Sequence, residues 1–238
     1  MRRRQRKPTR GQPRGGGGGL PRLLPPGWGM PAVAGLLVIA VIAVIGFAVM
    51  QASGGGAPTG RGVEEEQDQS PNLPGTWIDP VAKYPDSAQH VSGEVPFCEG
   101  GKQEINSEGK ATCYASNPPT SGPHSGTSAR PGIYDDSNPV PKENFVHNLE
   151  HTGVVLLYNC TNCDETVQKL RDIFQGYLKD SRSQALVMTP YKEMEPETIA
   201  LASWSRLDKF PVSEFDESRV RRFIEVHECR FDPEGFCG

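Results

Sequence analysis

The first 62 residues contain no Asp or Glu, and no cysteine occurs before Cys98. These absences divide the chain before any motif is considered. Residues 1–29 combine arginines with a five-glycine run and several prolines. Such a composition cannot bury a core, so it predicts a disordered basic arm. From Met30 to Met50 charge of either sign is missing. About twenty apolar residues in a helix span roughly 30 Å, the thickness of a bilayer's hydrocarbon layer. Residues 30–50 therefore read as one transmembrane helix, with Pro31 in its first turn, where a missing N–H costs nothing. The basic flank is N-terminal, which places the N-terminus in the cytoplasm and the remainder outside the cell membrane. A cleaved signal peptide is the alternative. Its apolar stretch is typically ~7–15 residues, shorter than this run, and no small-x-small cleavage site follows. Residues 51–75 are Gly, Pro, Ser and acid, the composition of a flexible linker.

The remaining chain lacks a basic cluster. Nine of the 25 Lys/Arg lie in residues 1–62, leaving 16 against all 29 Asp/Glu, a net −13. This excludes nucleic acid as a partner, because phosphate neutralisation supplies most such affinity. The only expected partner is the lipid bilayer, through the transmembrane helix. Nothing in the sequence identifies a protein partner.

Internal repeats are absent, and residues 76–145 show little periodicity. That part should be loop-rich with short strands. Val154–Tyr158 reads as a buried strand, 164–179 as an amphipathic helix, Ala185–Met188 and Thr198–Trp204 as further strands, and 216–227 as a last helix. The order predicts an α+β domain over 76–238, with a small mixed sheet, two helices and a long loop-rich N-terminal part.

All six cysteines, Cys98, Cys113, Cys160, Cys163, Cys229 and Cys237, fall in this domain. An even count outside the membrane predicts disulfides. Proximity favours Cys98–Cys113 and Cys229–Cys237, although six cysteines allow fifteen pairings. Cys160-Thr161-Asn162-Cys163 follows a strand and opens a helix, where a thiol's pKa is lowered and a redox pair can work. Asp164 and Glu165 oppose thiolate formation, so a structural disulfide is favoured over a thiol oxidoreductase or a soft-metal pair. Thr161 and Asp164 have capping-box spacing, which would set Cys163 in the first helical turn.

Histidine is scarce, five in all, yet His124, His147 and His151 lie within a short stretch. His124 ends the proline-stiffened string Asn117-Pro118-Pro119-Thr120-Ser121-Gly122-Pro123-His124. His147 and His151 are four apart, which on a helical turn sets both imidazoles on one face. Glu150 sits between them in sequence, able to ligate or to orient an imidazole. These residues predict a transition-metal site for copper or zinc. Met188 and Met194 offer thioethers that suit copper, although buried methionines are more often core. Copper handling is the first expectation for its use. A competing reading makes the histidines structural props of a protein-interaction module. His147-x-x-Glu150-His151 also satisfies the H-x-x-E-H pattern of inverted zinc peptidases. Those enzymes use a long helix, whereas Thr152-Gly153 and a strand follow here at once. The reading leans away from an enzyme.

The strings Pro118-Pro119-Thr120-Ser121-Gly122-Pro123-His124, Gly132-Ile133-Tyr134, Val146-His147-Asn148-Leu149-Glu150-His151-x-Gly153, Thr189-Pro190 and Ala202-Ser203-Trp204 closely resemble the family catalogued as domain of unknown function 3105. The resemblance covers roughly residues 80–228. It implies a bacterial protein behind one membrane anchor, and it implies no reaction. Cys160 and Cys163 depart from the family's usual pattern.

Overall fold

The computed structural model describes residues 64–181 and 184–237. The expected basic arm, the transmembrane run 30–50 and linker residues 51–63 lie outside them. Among the described residues no helix is long and apolar enough to cross a membrane.

The domain is α+β, with three helices and a six-stranded mixed sheet. In chain order the strands are β1 (Thr76–Trp77), β2 (His90–Val91), β3 (His124–Ser125), β4 (Gly132–Ile133), β5 (Val155–Asn159), β6 (Val187–Pro190), β7 (Thr198–Ser203) and β8 (Arg206–Pro211). The helices are α1 (Lys142–Glu150), α2 (Asp164–Asp180) and α3 (Glu217–His227). The large sheet runs β1-β8-β7-β5-β6-β4, while β2 and β3 pair separately. β5 and β6 are parallel and α2 joins them, since parallel neighbours need a crossover. β7 and β8 form an antiparallel hairpin through Trp204-Ser205, with Ser205 at φ +60°.

Both faces of the sheet are covered, which explains the near-continuous apolar runs of its central strands. Strand alternation sorts their side chains. Val155, Leu157, Val187, Ala200 and Ala202 face one layer, with Phe145, Val146 and Leu149 of α1 and the indole of Trp204. Leu156, Tyr158, Met188, Ile199 and Leu201 face the other, against Leu170, Ile173 and Phe174 of α2 and Val220, Phe223 and Ile224 of α3. β8 reads Arg-Leu-Asp-Lys-Phe-Pro, and its charges hid it from an apolar scan. α1 is buried on nearly every side, including Lys142, Asn148 and Glu150, so it has no polar stripe to mark it as amphipathic.

Residues 64–75, which composition assigned to the linker, pack onto the domain. Glu66 is fully buried and accepts from Tyr84 N at 2.9 Å, Ser87 Oγ at 2.9 Å and Trp204 Nε1 at 3.0 Å. Arg206 donates to the carbonyls of Asp68, Ser70 and Gly75, and Arg230 to that of Glu65. A buried carboxylate bonded to these donors and two guanidinium groups clamping backbone oxygens hold this segment. Local composition does not register partners that lie more than a hundred residues away.

Cys98 pairs with Cys113, Cys160 with Cys163, and Cys229 with Cys237, leaving no free cysteine. Cys163 is the N-cap of α2 and its side chain makes no capping bond, so the expected Thr161–Asp164 capping box does not form. Glu197 covers this turn instead, accepting from Thr161 N at 2.9 Å.

Candidate metal centre

Four of the five histidines meet at one end of α1. The first string positions His124 by backbone pairing: β3 lies beside β2, with His124 in register with His90. Gly122 takes φ +118° with the Tyr114 ring 3.0 Å from where a Cβ would sit, so glycine is required for this close approach. His124 is fully buried, with Trp204 edge-on at 6.3 Å between centroids. Its Nδ1 lies 2.9 Å from the Gly122 carbonyl and its Nε2 2.9 Å from Glu150 Oε2. Both ring nitrogens are thus committed to acceptors, and His124 fixes the Glu150 carboxylate.

His147 is set differently. Its Nδ1 donates to the Ser125 carbonyl at 2.6 Å, which leaves Nε2 with a lone pair. That Nε2 faces His151 Nε2 at 3.0 Å. Helical i, i+4 spacing brings the rings together, with centroids 4.3 Å apart and planes at 84°. Two nitrogens on one tetrahedral zinc, at ~2.0–2.1 Å each, are separated by roughly 3.3 Å. The observed gap needs only a small parting of the rings to admit an ion.

Burial pushes His147 below its ordinary pKa against the Ser125 hydrogen bond, and His151 and His124 push it down further. Burial also lowers His151, opposed by Glu234 and Glu150. Both imidazoles are therefore neutral at neutral pH, the form that ligates.

Two histidine groups among the described residues could hold a metal ion: His147 with Glu150 and His151, and His90 with His124 and His147. The sequence-expected residues come together, divided over two groups that share His147. His90 was not foreseen. It is exposed, and its ring stacks on His147 at 5.0 Å and 21°; a lone histidine in a loop-rich segment gives no spacing signal. Cys160, Cys163 and Glu197 form a third such group, elsewhere on the domain. The methionines are placed otherwise. Met188 is buried on the opposite face of the sheet, in the α2–α3 layer, because β6 alternates and Val187 takes the side facing α1. Met194 packs in the apolar cluster with Phe145 and Tyr191.

A cavity of about 440 Å³ opens beside His151, lined by Ser128, Arg130, Asn148, Gln184 and Phe236 among others. His151 is the one of the paired imidazoles that lines it. Asn148 is held in its wall by Ala129 N and by the carbonyls of Ala129 and Ala185.

Residues 106–236 match a family described as protein of unknown function, DUF3105. The chain belongs to this family. The DUF3105 match includes His124, His147, Glu150 and His151, and it omits His90 and the Glu66 segment. No curated protein matches the chain, and no solved structure does.

Proposed function

We propose that this DUF3105 domain is held outside the cell membrane by the 30–50 helix and binds one divalent transition metal ion there. His147 and His151 supply the nitrogens, Glu150 supplies an oxygen or orients the site, and His124 anchors Glu150. The observation that carries this reading is the Nε2–Nε2 approach of His147 and His151 at 3.0 Å, with the tautomer of His147 set by Ser125. Neutral imidazole and carboxylate suit zinc, and imidazole also suits copper. The thioethers that favoured copper lie in apolar layers, so the balance moves toward zinc. The competing interaction-module reading draws on His124, whose ring is fully satisfied inside the protein. A hydrolase needs a carboxylate free to act on metal-bound water, and Glu150 is engaged by His124.

Metal analysis of the purified full-length chain tests the proposal. Near-stoichiometric zinc or copper is expected. His147→Ala should lower affinity by at least ~100-fold, as loss of a direct ligand exceeds the 10–100-fold typical of outer partners, with the disulfide-bonded fold retained. Unfolding of that variant with no metal in the wild type would leave the histidines structural. A reporter enzyme fused after Gly238 should be active outside the cytoplasmic membrane; activity only inside would sink the topology.

A further inference from the structure

The C-terminal loop reaches the same site. Glu234 Oε2 lies 3.2 Å from His151 Nε2, the atom that faces His147 Nε2 at 3.0 Å. His147 has already given its N–H to Ser125. The N–H on His151 therefore serves the lone-pair nitrogen of His147, and the Glu234 carboxylate lies beside the same atom as a charge neighbour. A cation held by His147, Glu150 and His151 would draw in the Glu234 carboxylate, which lies next to this group and has to close on it. Glu234 makes no other ion pair among the described residues; no Lys or Arg draws it here.

The loop itself places the carboxylate. The Cys229–Cys237 disulfide closes it. Asp232 accepts from Phe236 N at 2.8 Å and Cys237 N at 3.0 Å. Cys229 N donates to the carbonyl of Thr152, the residue after His151, at 3.1 Å. The Phe236 ring lies on the His151 imidazole, with centroids 4.5 Å apart. The end of α1 and the C-terminal loop thus form one unit, although Glu234 lies 83 positions beyond His151 in the chain.

We infer that Glu234, presented by the Cys229–Cys237 loop, is a ligand of the ion proposed above, which makes the site a two-histidine, carboxylate-rich centre for a zinc-like divalent cation rather than copper(I). The inference rests on the metal-binding reading. Imidazole with carboxylate, and no thiolate or thioether, is the donor set of borderline divalent ions.

Zinc titration of the full-length chain against a chromophoric chelator tests it, with Glu234→Gln, the double variant Cys229→Ser/Cys237→Ser, and His147→Ala. Glu234→Gln keeps an acceptor for His151 and sits at the surface, so the metal-free unfolding midpoint should not move. Its zinc affinity should fall at least ~10-fold. In the double cysteine variant affinity should fall similarly, and adding Glu234→Gln should cost little more, since the two act as one unit. If Glu234→Gln binds zinc as tightly as wild type while His147→Ala does not, Glu234 is no ligand and the metal reading stands. If wild type binds neither zinc nor copper, the metal reading itself fails. Tighter binding of copper(I) than zinc would overturn the carboxylate-rich ligand set.

Discussion

Gly153→Ala should destabilise the domain by about 3 kcal/mol or more, the upper range for overpacking. Gly153 follows the His-x-x-Glu-His-Thr turn and leads into β5. A Cβ there would lie within 2.6 Å of the Asn148 carbonyl oxygen and closer still to that of Ala185. Both obstacles are backbone, so no side chain can swing aside. Gly153 N also donates to Asn148 O at 2.9 Å, which closes the end of α1. The methyl group would wedge α1 from the approach to β6 and carry His151 with it. Urea unfolding of wild type and variant measures the loss. Gly176→Ala is the control: that position is in α2 with nothing within 4 Å of a built Cβ. There the helix should gain about 0.5–1 kcal/mol. Equal small effects at both sites would mean that the α1–β6 contact yields easily.

Gly153 also shows what was legible in the sequence. The motif from Val146 to Gly153 stood out by its histidine spacing, and that spacing survives in space because i, i+4 on a helix is a local relation. The β5–α2–β6 unit and α3 were likewise readable from apolar period alone. What sequence could not supply were relations carried by distant backbone. His90 reaches the site through a two-residue pairing with β3. Glu234 reaches it through a disulfide and an aspartate-capped loop, and neither leaves a periodic trace. Glu66, in a stretch of acids and glutamines that resembles linker, is buried because Trp204, Ser87 and Tyr84 all donate to it. His124 comes near enough to His147, but not to His151, to share an ion, and Glu150 takes its second nitrogen.

Acid should weaken the fold steeply, by about 4–5 kcal/mol between pH 6.5 and pH 3, through His227 alone. This residue at the end of α3 is 1 % exposed. Its Nε2 donates to the Pro74 carbonyl at 2.8 Å, and its Nδ1 accepts from Arg230 Nε at 3.1 Å. Burial, with the Arg230 and then the Arg206 charges behind it, pushes its pKa from 6.5 down to about 3. The unfolded chain takes up this proton near pH 6.5, while the native state refuses it until about pH 3. The unfolded state therefore binds more protons throughout that window, so stability falls as pH falls, at up to about 1.4 kcal/mol per pH unit. Above pH 6.5 the contribution is flat. Protonation at Nδ1 would also set a second cation against Arg230, which holds the carbonyls of Glu65 and Trp204. The N-terminal segment over Trp204 should loosen first. His147 and His151 are shifted in the same direction and add to the slope. His227→Gln retains a donor for Pro74 and cannot titrate. Urea unfolding at pH 7, 5.5 and 4 should show the wild type losing about 3 kcal/mol more than this variant across the range. Carboxylates titrate in both proteins and cancel in the difference. A gap between wild type and variant that stays constant from pH 7 to pH 4 would mean that His227 is not held neutral in the native state.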